Sequence, residues 1–310
     1  MCFSNPKRVC SDVLSASSHE TYVETVCNGA DTLHLGLNEW GTKSVEQVYS
    51  RLSVSIIRRL HLGACDVIID ITKEDFYGKV EGLWIHEWTK EKGVTGHFQF
   101  LVCSVKYRNK KFPIAVIMLR VGAIIADAIG EVLSSCKKAG LKIREVLFDR
   151  GFYSADNIRE LKEQDVFYLI FAPKNSLIKN MLEGAKHSVV IEHKMILNKD
   201  KTKTKIDTNL ALVKNVQNYD WAFATNLELS GAKIVQKYRV RWNIETDFRV
   251  MDEARIKSKS KRPEVRLFYF LITCILFFVW NITQKFKLTF KKFIILISEE
   301  CKKQLICKAN

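Results

Sequence analysis

Proline is scarce in this sequence, with 4 in 310 residues, and glycine numbers only 14. Such a composition argues against a disordered chain. With 47% hydrophobic residues, the chain is expected to bury one large core or two modest ones. Its 9 cysteines, at 2, 10, 27, 65, 103, 136, 274, 301 and 307, include no Cys-x-x-Cys pair. That argues against a zinc ribbon, and without a signal-peptide pattern it also argues against a secreted disulfide scaffold. Reduced cytosolic thiols are expected. No glycine-rich phosphate loop is present, so nucleotide hydrolysis is not expected. The 7 histidines show no His-x3-His spacing, and His86 and His97 read as core or surface residues. No apolar run reaches the ~20 residues of a spanning helix. The longest, Leu267 to Ile282, has 16 and reads as a buried helix, with no membrane partner expected. Internal repeats are also missing.

What the sequence has is positive charge. Lysine and arginine outnumber aspartate and glutamate by 49 to 34, a formal +15. An excess of that size attracts polyanions through steering and through release of counterions from phosphates. Nucleic acid is the leading partner on charge, with an anionic membrane surface second.

Apolar residues recur at helical spacing from Ser44 to Leu62, after a mixed amino-terminal stretch. Strand-like runs follow at 65–71, 97–107 and 111–120, then a helix at 122–140 ending in Lys137, Lys138 and Gly140. Another strand at 143–149 precedes a helix opening at Ser154, and 166–173 reads as a buried strand. The lysine-rich stretch 174–219 reads as an inserted β-rich subdomain with a charged hairpin. A core-like strand at 220–226 leads into a long helix from about Ser230 to Ala254. The fold class is α/β. Expected divisions are a mostly helical 1–63, a core of 64–173 and 220–282, the insertion 174–219, and a basic tail 283–310.

Three acidic positions stand out by their surroundings. Asp70 lies near the end of the apolar run VIIDI, and Asp149 leaves the strand EVLFD just before a turn at Gly151 and a helix. Strand-end carboxylates beside strand-to-helix turns are where an α/β fold gathers metal ligands. Taken singly, either aspartate also reads as a cap or turn residue. In YRVRWNIETDFRVMDE, Tyr238, Arg241 and Glu245 stand at offsets of three and seven and share one helical face. That stripe suits a nucleic-acid site: Arg241 to fork a phosphate, Tyr238 to pack on a sugar or base, Glu245 to ligate metal. It also fits a surface Arg–Glu pair at i, i+4.

The blocks IDITKEDFYG, LFDRGFYSADNIRELKE and YRVRWNIETDFRVMDE together resemble the DDE transposases of prokaryotic insertion sequences, the type with a Tyr-x2-Arg-x3-Glu-x6-Lys signature. The resemblance runs from about Asp66 to Asn281. It implies a ribonuclease-H-like core, a mixed sheet flanked by helices, with the β-rich insertion before the glutamate helix. It further implies a catalytic and metal-binding triad of Asp70, Asp149 and Glu245, and DNA contacts by Tyr238 and Arg241. Two Mg²⁺ ions are the implied cofactor, with Mn²⁺ able to substitute. The implied activity is cleavage at transposon ends and transfer of the 3′-hydroxyl into target DNA, by a dimer on double-stranded DNA. In two respects this sequence departs from the pattern. Asp252 stands where the signature has its lysine, with Lys257, Lys259 and Lys261 close behind as substitute phosphate contacts. The 69 residues before Asp70 are short for an end-recognition domain. A decayed or domesticated DNA-binding derivative, or a ribonuclease-H-like nuclease without strand transfer, are the alternative readings.

Overall fold

The computed structural model describes residues 30–59, 63–88, 92–107, 110–199, 202–253, 255, 258, 260–283 and 288–309. Within residues 242–246 it describes the course of the helix but not the side chains. The chain forms two compact units, one of 53–246 and one combining 1–52 with 247–310.

The larger unit is built on a mixed sheet. Strands β1 (Cys65–Phe76), β2 (His86–Glu87), β3 (Gly96–Tyr107), β4 (Lys110–Leu119), β5 (Ile143–Phe148) and β6 (Tyr168–Phe171) form its first part. Strands β7 (Val189–Lys199), β8 (Thr202–Val216) and β9 (Tyr219–Thr225) complete it. The order is β2-β3-β1-β5-β6-β9-β8-β7, with β4 on β3. β1, β3 and β4 pair antiparallel, whereas β5 and β6 run parallel to β1. The central strands are buried along most of their length, β3 from Gly96 to Val105 except at Gln99. Such near-continuous apolar runs are what strands covered on both faces require.

The covering helices explain that burial. Helix α2 (Ile125–Lys138) lies on one face, its Cys136 Sγ 3.8 Å from Cys103 Sγ of β3. Helix α3 (Ala155–Glu163) starts at Ser154, whose hydroxyl accepts from Asn157 N at 3.2 Å. α2 and α3 meet closely: a β-carbon on Gly130 would fall 2.1 Å from Glu160 Oε1. Gly140, at φ +84°, ends α2 in the left-handed region, as its lysine pair and glycine predict.

The insertion differs from its expected form in two ways. It opens with a helix, α4 (Ser176–Gly184), capped by Asn175 through Ile178 N at 2.9 Å. Its β7–β8 hairpin also does not stand apart, because β8 pairs with β9 and so extends the main sheet. Leu210, Leu212 and Ala222 of these strands pack with Ile178 and Leu182 of α4.

Two helices pass from one unit into the other along the chain: α1 (Ala30–Arg59), broken at Gly41, and α5 (Gly231–Glu253). Past the break at Gly41 the second part of α1 runs to Arg59, close to the helix expected from Ser44. In the smaller unit α6 (Pro263–Thr283) is long and apolar enough to cross a membrane, and most of it is buried, as the sequence reading expects. α7 (Phe290–Ala309) follows, with Phe290 and Phe293 buried.

Candidate active site

Strand pairing brings the two aspartates together. Ile68 of β1 pairs with Leu147 of β5 in parallel register. Two residues further along each strand are Asp70 and Asp149, level with one another on strands about 4.8 Å apart. Asp149 lies just past β5 but keeps an extended backbone, φ −81° and ψ 179°. The alternation of side chains therefore continues, and both carboxylates fall on one face of the sheet.

Backbone donors hold each carboxylate. Asp70 Oδ1 accepts from Ile71 N at 2.9 Å, and Asp149 Oδ1 accepts from Gly151 N at 2.8 Å. A β-carbon at Gly151 would sit 3.1 Å from Asp149 Oδ1, so the absence of a side chain there leaves room for the carboxylate. Asp70 is buried and Asp149 half-buried.

Helix α5 covers this same face. By register, Leu147 is level with Leu169, and Phe171 with Phe223. The Tyr238 ring packs on Phe171 and Phe223 at centroid distances of 5.4 and 5.0 Å. One helical turn on, Arg241 donates from Nη1 to Asp70 Oδ2 at 3.1 Å and from Nε to the Tyr238 hydroxyl at 3.1 Å. Burial opposes the charged guanidinium, yet Tyr238, Asp70 and Asp149 together outweigh it and raise the Arg241 pKa. Burial likewise pushes the Tyr238 phenol up to about 12, so it stays protonated.

Tyr238 and Arg241, expected to meet a base or sugar and a phosphate, are 1% and 4% exposed. The sheet face is lined with aromatics and a carboxylate, and Tyr238 and Arg241 turn inward to meet them. Glu245 occupies the next position of the stripe on α5, and its side chain lies outside the described residues, as do Lys257 and Lys259. Lys261 is exposed. Asp252 pairs with Arg255 at 2.7 Å. Among the described residues no group of three or more His, Cys, Asp or Glu is close enough to hold a metal. Asp70 and Asp149 nonetheless fit one in chemistry: hard oxygen donors, side by side, with a guanidinium charge already drawn to one of them.

One pair escaped the sequence reading. Lys237 donates from Nζ to Glu145 Oε1 at 2.5 Å, and Glu145 is almost fully buried. The available signal was period-two spacing, since Glu145, Leu147 and Asp149 alternate along EVLFD. On the other face, His97 is buried, its ring stacked on His86 at 5.8 Å and edge-on to Trp88 at 5.5 Å.

A family model described as the transposase DDE domain matches residues 125–282, half of the chain. Among solved structures, the chain is similar to the piggyBac transposase synaptic complex with hairpin DNA. That match has 12% identity and a TM-score of 0.56, and covers 99% of this chain and 73% of that one. The Drosophila P element transposase strand transfer complex matches at 12% identity and TM-score 0.32, over 96% and 65% of the two chains. No curated protein matches in sequence.

Proposed function

The chain belongs to the transposase DDE domain family, and on that premise we propose that Asp70, Asp149 and Glu245 form its metal-binding and catalytic triad. The observation that carries this reading is the level placement of Asp70 and Asp149 on neighbouring parallel strands, under the helix that bears Glu245. The enzyme cleaves DNA at the ends of its element and joins the freed 3′-hydroxyl to target DNA. In the first step water attacks the phosphorus and the bond to the 3′-oxygen breaks; in the second that 3′-hydroxyl attacks a target phosphorus, and the target's own bond to its 3′-oxygen breaks, leaving a 3′-hydroxyl there.

Carboxylate donors without nitrogen or sulfur select hard divalent ions, so Mg²⁺ is the cofactor and Mn²⁺ its substitute. Two such ions, when bound, supply activation of the attacking oxygen and charge neutralisation at the phosphate. The protein's part is to hold the donors still. Ile71 N fixes one oxygen of Asp70, and Gly151 N fixes one of Asp149. Arg241 holds the second oxygen of Asp70, and a cation taking up that oxygen would release the guanidinium towards a phosphate.

The double-stranded DNA partner follows from the formal charge of +15 and from the family. We further read the chain as an insertion-sequence transposase of prokaryotic type with the Tyr-Arg-Glu signature, acting as a dimer on DNA in the cytoplasm. A second reading, a DNA-binding derivative without catalysis, is favoured by Asp252 in the place of the signature lysine, where it holds Arg255.

The test is nicking of a supercoiled plasmid carrying the element's ends, with Mg²⁺ or Mn²⁺. Asp70→Asn, Asp149→Asn and Glu245→Gln should each abolish nicking while keeping salt-sensitive DNA affinity. Wild-type nicking by any one of them would refute the triad. Inactivity of the parent chain with both ions would favour the second reading.

A further inference from the structure

Helix α5 meets the sheet through two cations four residues apart. Lys237 binds Glu145 of β5, and Arg241 binds Asp70 of β1. Glu245 is the next residue in that series, about 6 Å further along the helix axis. The two links differ in kind. The Arg241 link engages a carboxylate of the proposed metal site, so cation binding at Asp70 competes with it. The Lys237 link involves none of the triad. Glu145 stands four residues before Asp149, on the strand that leads into it and on the same face, about 13 Å away by strand rise.

Resting on the triad reading above, we propose that Lys237 and Glu145 are positioning residues. They pin α5 to the strand that leads into Asp149, and so keep Glu245 in place when a cation draws Asp70 away from Arg241. Glu145 is 2% exposed and the Lys237 side chain 32%, so the pin is anchored in the core and reached from the rim. A link of this kind costs desolvation, and an apolar pair of similar volume would stabilise the fold equally well. Its contribution is therefore one of register.

That distinction supplies the experiment. Mn²⁺ binding to the full chain is titrated by electron paramagnetic resonance, and plasmid nicking gives kcat and KM. Lys237→Met and Glu145→Gln should weaken Mn²⁺ binding and lower kcat by about tenfold or more, since a misplacement of about 1 Å costs on the order of 100-fold. KM for DNA should stay within about twofold, because the pair contacts no DNA in this assignment. Lys237→Arg should retain most of both functions. The decisive variant is the double change Lys237→Met with Glu145→Leu, which leaves no buried charge unpaired. It should melt cooperatively like the parent and still be defective in Mn²⁺ binding and kcat. Parental Mn²⁺ affinity and kcat in this double variant would overturn the proposal. Asp70→Asn separates the two levels. If it loses Mn²⁺ while the double variant does not, only the positioning role falls. If Asp70→Asn binds Mn²⁺ like the parent, the metal-site reading falls and the positioning role with it.

Discussion

Arg241 reaches Asp70 across 171 residues of sequence, its Nη1 donating to Oδ2 at 3.1 Å in a buried setting. The guanidinium therefore sits as a protein-borne cation on a carboxylate that the proposed chemistry assigns to a metal. Both the stability and the ion affinity of the site should depend on this one contact.

Replacing Arg241 by Gln removes the competing charge. A hydrogen bond to a charged group contributes about 1.5–3 kcal/mol, so Mn²⁺ affinity should rise by roughly ten- to a hundredfold. Nicking should fall at the same time, because the residue freed for the phosphate is gone. Unchanged or weaker Mn²⁺ binding by calorimetry would show that Arg241 does not compete.

Tyr238→Phe keeps the ring among Phe171, Trp221 and Phe223 and removes the acceptor for Arg241 Nε. Urea unfolding should show a loss of about 1–3 kcal/mol, whereas Tyr238→Ala should lose about 3–5 kcal/mol by opening a cavity. Because the ring is buried, the salt dependence of DNA binding should be the same for Tyr238→Phe and the parent. A changed slope would indicate that the tyrosine leaves the core to meet DNA.

Gly151→Ala places a methyl group 3.1 Å from Asp149 Oδ1. The carboxylate must shift by a few tenths of an ångström, and kcat should fall by about tenfold with the melting temperature nearly unchanged. A large drop in melting temperature would mean that the glycine serves the backbone instead.

His97 supplies a pH prediction. Burial lowers its pKa to about 4 from the usual 6.5, with Lys73 and His86 adding to the shift and Asp75 opposing it. Between those values the unfolded chain binds the proton that the folded one refuses. Stability should therefore fall as pH drops from 6.5 to 4 and gain nothing further from this residue above 6.5. His97→Gln should flatten that part of the curve in thermal melts. An unaltered slope would assign the acid sensitivity elsewhere.

Much of the fold could be read from local pattern. The β-branched apolar runs in CDVIIDI and IREVLFD, the lysine pair and glycine at the end of α2, and the serine cap of α3 each named their element, because side-chain bulk and unpaired helix-end groups act within a few residues. Helix α4 was missed, since SLIKNMLEG is too short for its period to outweigh the β-rich character of its neighbours. The inward-facing Tyr238 was also missed: an aromatic and an arginine on one stripe look alike whether they face DNA or a sheet.

From the chain alone it followed that Tyr238, Arg241 and Glu245 share a helical stripe and that Asp70 and Asp149 sit on apolar strand-like runs, although β1 continues past Asp70 to Phe76, so that only Asp149 stands at a strand end. Helical and strand periods determine such relations without reference to the rest of the molecule. Tertiary structure decided the partners: β1 beside β5 in parallel register, Arg241 on Asp70, Lys237 on Glu145. These choices depend on strand order and on which face each helix covers, and hydrophobic burial settles those only when residues distant in sequence pack together.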